Sequence, residues 1–153
     1  MSDVVELDRI LPQGRALGIT IQVSADGRSR LAIPYREDLI GDPDTGVIAG
    51  GVVTTLLDQT CGQAVYAALT EETSIATLDL RIDYMRPAKP GLTLIAEAHC
   101  YKLGRQVAFV RATAHDGDVN DPVAAAQAVF MLDSSAGRGP GSNLATARRG
   151  SRS

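Results

Sequence analysis

The sequence has no tryptophan and only two phenylalanines. Its core must therefore be built from Ala, Val, Leu and Ile. Two cysteines, Cys61 and Cys100, form neither a disulfide framework nor a metal-binding spacing. With only two histidines as well, no residue cluster points to a metal centre. Positive charge is not in excess: 15 Lys and Arg stand against 18 Asp and Glu, a net charge of −3. That argues against partners such as nucleic acid or an anionic membrane surface, which call for a basic face. No uninterrupted apolar run is long enough to span a bilayer. Residues 50–69 come nearest, but they contain Asp58, Gln59, Gln63 and three threonines. Met1 to Leu11 is acidic and lacks the basic and apolar regions of a signal peptide, so the expected compartment is the cytoplasm.

What is present is a chain of 153 residues, 44% hydrophobic and 22% charged, enough for one globular domain. Val4 to Leu11 reads as a short helix stopped by Pro12 and Gly14, within an N-terminal segment 1–16. Leu17–Ser24 and Arg30–Tyr35 flank Asp26-Gly27, a strong hairpin signal. Pro43 and Gly46 mark a loop from Gly41 to Ile48. Four strand-like runs close the domain: Ile75–Tyr84, Leu92–Lys102, Gln106–His115 and Val123–Leu132. In the first, Leu78, Leu80, Ile82 and Tyr84 alternate against Thr77, Asp79, Arg81 and Asp83. The last is rich in alanine and could be helical by propensity. Its place as the fourth of regularly spaced runs between turns makes it a strand. From Ser134 onward Gly, Ser and Arg dominate, and a disordered tail over 134–153 is expected.

Between the hairpin and the four strands lies the most informative segment, Gly50 to Leu69, in which Asp58 is the only charge. Apolar residues at 53, 56, 57, 61, 64, 65 and 68 have helical spacing. So little of this helix asks for water that it should be buried nearly all round. Gly51, Thr54, Thr55, Asp58 and Gly62 share a face of small side chains that another backbone or a ligand can approach. A carboxylate there is costly unless compensated. Asp58 is thus either a catalytic acid or a structural hub held by threonine hydroxyls, and the helix alone does not decide. The architecture that covers such a helix is α+β: a curved antiparallel sheet of about six strands wrapped around it.

Three stretches, taken together, carry a resemblance. Gly46 to Gly51, followed seven residues later by Asp58, resembles a helix-entry motif of Gly, two residues, His-Gly-Gly and then a carboxylate. Thr77 to Ala88 ends in Tyr84-Met85-Arg86-Pro87-Ala88, and Lys102-Leu103-Gly104-Arg105 forms a turn signature. In this order and spacing the chain, over residues 17–133, resembles the hotdog-fold acyl-CoA thioesterases, in particular the phenylacetyl-CoA branch. The resemblance implies hydrolysis of an acyl-CoA thioester, with no cofactor beyond the coenzyme A of the substrate. It makes Asp58 the base or nucleophile, from one subunit, and the Gly50 N–H the donor to the thioester oxygen. Thr77 falls where the family orients the acid or a water. Gly51, Arg86, Lys89, Lys102, Gly104 and Arg105 become substrate contacts, the cations for the CoA phosphates. Any one of those cations could equally be a solvated rim residue. A homodimer is implied, and a homotetramer is expected because the sheet's outer face is only moderately polar.

Two positions depart from the pattern. The family's His is Ala49 here, and its polar loop helper is Pro43. Asp42 and Asp44 flank the latter, but a carboxylate there would repel a developing oxyanion. The second reading is consequently a non-catalytic acyl-CoA-binding protein of the same fold. Cys61, one helical turn past Asp58, reads as core rather than nucleophile. His99 and His115 have no Ser or Cys partner in a recognisable motif.

Overall fold

The structure, a computed structural model, describes residues 10–133. The elements are α1 (Pro12–Leu17), β1 (Thr20–Ala25), β2 (Arg28–Ile33), a 3-10 turn (Glu37–Leu39), β3 (Ile40–Asp42), β4 (Val47–Ile48), α2 (Gly50–Ala68), β5 (Ser74–Tyr84), β6 (Leu94–Leu103), β7 (Val107–His115) and β8 (Ala124–Asp133). Six strands form one antiparallel sheet in the order β1-β2-β6-β7-β8-β5. It packs around α2, the expected hotdog arrangement. The alanine-rich run is a strand, β8, paired on both sides.

The shortage of aromatics explains how helix and sheet meet. The sheet's inner face is lined by Ala96, Ala98, Ala108, Ala112, Ala114, Ala124, Ala126 and Ala128, all buried. Such short side chains let α2 lie close to the strands. The helix supplies the bulk instead: Leu56, Leu57 and Val65 are fully buried, each worth about 1.5–3 kcal/mol on removal from water. Hydrogen bonds then fix the helix lengthwise. Ser29 donates to the Thr60 carbonyl at 2.6 Å, and the Gly27 N–H donates to the Ala67 carbonyl at 3.2 Å. The latter comes from the Asp26-Gly27 turn, where both residues have positive φ, as this hairpin type requires.

Pro12 opens α1 at its first position, where its missing N–H costs nothing; the expected helix over Val4 to Leu11 falls mostly, and the 134–153 tail wholly, outside the described residues. Two expectations need correction. The Gly41–Ile48 loop contains the short ribbon β3–β4. The helix α2 is not buried all round: Gly50 and Gly51 are exposed, and Thr54, Thr55 and Asp58 are half-buried.

Strand β5 forms one edge of the sheet and pairs only with β8. Its regular alternation is also broken. Thr77 is opposite Phe130 and Asp79 is opposite Val129, which leaves Leu78 bulged out without a partner. Beyond the bulge the parity reverses. Thr77 joins Leu80, Ile82 and Tyr84 on the side facing the helix, rather than lying opposite to them.

Candidate active site

That bulge aims Thr77 at α2. Its hydroxyl donates to Oδ1 of Asp58 at 2.9 Å. The bond fixes the plane of the carboxylate and leaves Oδ2 for a water or a carbonyl carbon. Asp58 and Thr77 both line a cavity of about 230 Å³ between α2, β1, β5 and β8. Its apolar lining includes Ile21, Leu31, Ile75 and Phe130, and Gln59, Gln63 and Tyr66 add polar groups. An acid at an apolar cavity suits a substrate with a greasy body and a reactive carbonyl.

Seven residues after Thr77, at the other end of β5, Tyr84 lies beside the start of α2. Ala49 is the N-cap and has no side-chain capping bond. The Val52 N–H donates to the Ala49 carbonyl at 3.0 Å, and the Gly50 and Gly51 N–H groups ahead of it are left for other acceptors. Open space surrounds the Cα atoms of Gly50 and Gly51. The Gly50 carbonyl is held from two sides, by the Thr54 hydroxyl at 3.1 Å and the Tyr84 hydroxyl at 3.2 Å. Thr54 and Tyr84 are also in hydrogen-bond contact with each other. Strand β5 thus touches α2 twice, at Asp58 and at Gly50. These points are eight residues apart, about 12 Å along the helix axis. The acid and the Gly50 amide of one chain cannot reach the same carbonyl.

Of the cations, Arg86 is already engaged. Its guanidinium donates to Asp116 Oδ2 at 2.8 Å and Oδ1 at 2.7 Å, and to the carbonyls of Pro87 and Asp121. Its Nε lies 3.1 Å from Asp121 Oδ2. No free donor pair remains for a phosphate, so the structure gives Arg86 a fold-locking place rather than a substrate contact. The Arg86 hydrogen bonds hold the Asp116 carboxyl well below the usual carboxylate range, against the opposing effect of burial. Lys89, Lys102, Gly104 and Arg105 are exposed, but they are not brought together. Lys89 follows the end of β5, whereas Lys102, Gly104 and Arg105 belong to the β6–β7 turn at the opposite end of the sheet.

Other readings are resolved by position. Cys61 is fully buried, and burial pushes its thiol up to about 12, with the nearby Asp58 charge adding to the effect. It stays protonated and inert. Asp42 accepts from the Asp44 N–H and the Thr45 hydroxyl and so builds its own turn. Val53, Leu57 and Val65 on α2 are core, whereas Tyr66 lines the cavity. Gln59 and Gln63 were not singled out by the sequence. Helical steps of one, four, five and eight from Asp58 reach Gln59, Gly62, Gln63 and Tyr66, a signal that was available. Among the described residues no cluster of potential ligands could hold a metal, and no helix is long and apolar enough to cross a membrane.

Comparison with known proteins agrees with the fold. The Thioesterase superfamily profile matches residues 45–123, from the loop before α2 to the start of β8. The chain belongs to the thioesterase superfamily. A relative from Halobacterium salinarum, provisionally named an esterase, is 39% identical over 94 residues, 60% of this chain. The match spans only 61% of that relative's length. The medium/long-chain acyl-CoA thioesterase YigI of Salmonella typhimurium is 28% identical over 80% of this chain and 86% of its own. A mutant of the phenylacetic acid degradation protein PaaI from Thermus thermophilus has been solved. It superposes with a TM-score of 0.69 at 26% identity, covering 79% of this chain and 98% of that one. These matches support a thioester hydrolase role, and a PaaI protein is among the chain's structural neighbours.

Proposed function

We propose that this chain hydrolyses the thioester of a small or medium acyl- or aryl-CoA at sites shared between two subunits. The observation that carries the reading is the Asp58–Thr77 pair on the wall of an apolar cavity. The superfamily and the acyl-CoA thioesterase name of YigI support the substrate class.

The 12 Å separation of Asp58 and Gly50 is what calls for a second subunit. The edge strand β5 is eleven residues long and pairs on one side only, with Leu78, Tyr84 and Met85 exposed along and just after it. An open edge of this length is a template for another strand. Two-fold antiparallel pairing of two β5 edges sets the start of one against the end of the other. The Gly50 end of one helix then meets the Asp58 of the partner subunit. The same operation brings Lys89 of one subunit toward Lys102, Gly104 and Arg105 of the other, where CoA phosphates would lie. On the sheet's outer face, Tyr101 and Met131 are exposed and support a dimer of dimers.

In this site the thioester carbonyl oxygen accepts hydrogen bonds from the Gly50 and Gly51 N–H groups. Backbone donors are already oriented, so charge developing on the oxygen is stabilised without reorganisation. Asp58 either removes a proton from the attacking water or attacks the carbonyl carbon itself. Attack by water gives the free acid and CoA thiolate, which takes the proton held by Asp58; direct attack expels CoA thiolate and leaves an acyl-aspartyl anhydride that water then cleaves to the free acid and Asp58. With Ala49 in place of histidine, the amides carry the oxyanion unaided.

The test is hydrolysis of a panel of acyl-CoAs, followed by release of the free thiol, for the wild type and for Asp58→Asn. Hydrolysis by the wild type with a loss on the order of 100-fold or more in a folded variant is the expected result. Binding of acyl-CoA with no hydrolysis by the wild type would establish the non-catalytic binding protein instead.

A further inference from the structure

Within the cavity that holds Asp58, one part of the lining belongs to neither the helix nor the sheet. Ile10 and Leu11, just ahead of α1, form that part. Ile10 is 9% exposed and packed inward, while Leu11 is 62% exposed and sits at the rim. We propose that Ile10 and Leu11 form a wall of the acyl pocket and set the length of acyl chain that this protein accepts. The inference rests on the thioesterase reading above.

The wall is anchored rather than loosely draped. Leu11 is the N-cap of α1, and its carbonyl accepts from the Arg15 N–H at 3.0 Å. At the next turn the buried Gly14 backs directly onto α2. A Cβ there would collide with Gln59 Oε1 and would lie 3.0 Å from Ile10 Cγ2. With glycine here α1 closes against α2 without displacing either side chain, and that closure holds Ile10 over the cavity. The Gly14 carbonyl in turn accepts from the Ile19 N–H at 2.9 Å, tying α1 to the entry of β1.

The space is small and open to solvent on one side. About 230 Å³ lies below the ~300–1,000 Å³ of pockets for drug-sized ligands. A medium acyl group such as hexanoyl or octanoyl suits it. A longer chain reaches the Ile10–Leu11 wall and must displace it or run out past it.

The test is kcat/KM for butyryl-, hexanoyl-, octanoyl-, decanoyl- and palmitoyl-CoA, measured on the full chain and on Leu11→Ala and Leu11→Trp. Leu11 is exposed enough that neither change should cost the fold, and melting temperatures check this. The wild type is expected to favour hexanoyl- or octanoyl-CoA. Leu11→Ala should raise the decanoyl-to-hexanoyl ratio about tenfold, and Leu11→Trp should lower it by a similar factor. Folded variants whose profiles superimpose on that of the wild type would overturn the inference and leave the thioesterase reading standing. A wild type that hydrolyses none of the five would overturn both.

Discussion

The Thr77 hydroxyl donates to Oδ1 of Asp58 at 2.9 Å, and it can do so because a bulge at Leu78 turns Thr77 toward the helix. A hydrogen bond to a charged group contributes about 1.5–3 kcal/mol. Thr77→Val keeps the shape and removes the donor. It should lower kcat by about tenfold or more with little change in KM, whereas Thr77→Ser should retain most of the activity. Equal losses in both variants would mean that the hydroxyl is not what positions the acid.

Tyr84 is expected to act on the other half of the site. Its hydroxyl holds the Gly50 carbonyl at 3.2 Å and contacts Thr54, bracing the first turn of α2. Tyr84 is a positioning residue, since it reaches the oxyanion donors only through the backbone that it steadies. Tyr84→Phe should reduce kcat by about three- to tenfold, the value of one ordinary hydrogen bond, with only a small change in melting temperature. Unchanged kinetics would show that the helix entry holds itself.

The Arg86–Asp116 pair should matter for stability instead. Asp116 is 3% and Arg86 is 19% exposed at the side chain. Breaking a fully buried pair costs about 3–5 kcal/mol. Arg86 keeps some solvent and a second partner in Asp121, so Asp116→Asn should cost about 2–3 kcal/mol in urea unfolding at neutral pH. The pH dependence has a definite sign. Asp116 is depressed in the folded state relative to about 3.9 unfolded. Its contribution is present above pH ~4 and is lost as pH falls toward its lower folded value. The gap between wild type and variant should therefore narrow in strong acid; a constant gap would contradict the ion-pair account.

The sequence made some of this legible for identifiable reasons. Asp58 stood out as the only charge in a twenty-residue run, and the Asp26-Gly27 turn and the strand spacing were visible as local patterns. Long-range facts were not. Nothing near Arg86 in sequence reveals Asp116, thirty residues away, so a structural arginine resembled a phosphate ligand. The bulge was hidden because Leu78 continues an apparently perfect alternation, and the residue it displaces, Thr77, seemed to face outward. The face of small residues around Asp58 was legible as approachable, whereas the expectation of burial nearly all round was too strong, because the Gly50 and Gly51 backbone at the helix start is exposed.

The central claim is that Asp58 of one subunit works with the Gly50 amide of its partner. Gly50→Pro removes that N–H while suiting the first position of a helix, and open space surrounds the site. Gly50→Pro and Asp58→Asn should each be nearly inactive as purified homodimers. The decisive measurement is the acyl-CoA hydrolysis rate after the two are unfolded together and refolded as a mixture. If the site is shared, half of the dimers are mixed and each has one intact site, so the mixture recovers about a quarter of wild-type activity. If each site lies within one chain, every site still carries a defect, and a mixture no more active than its parents would contradict the account.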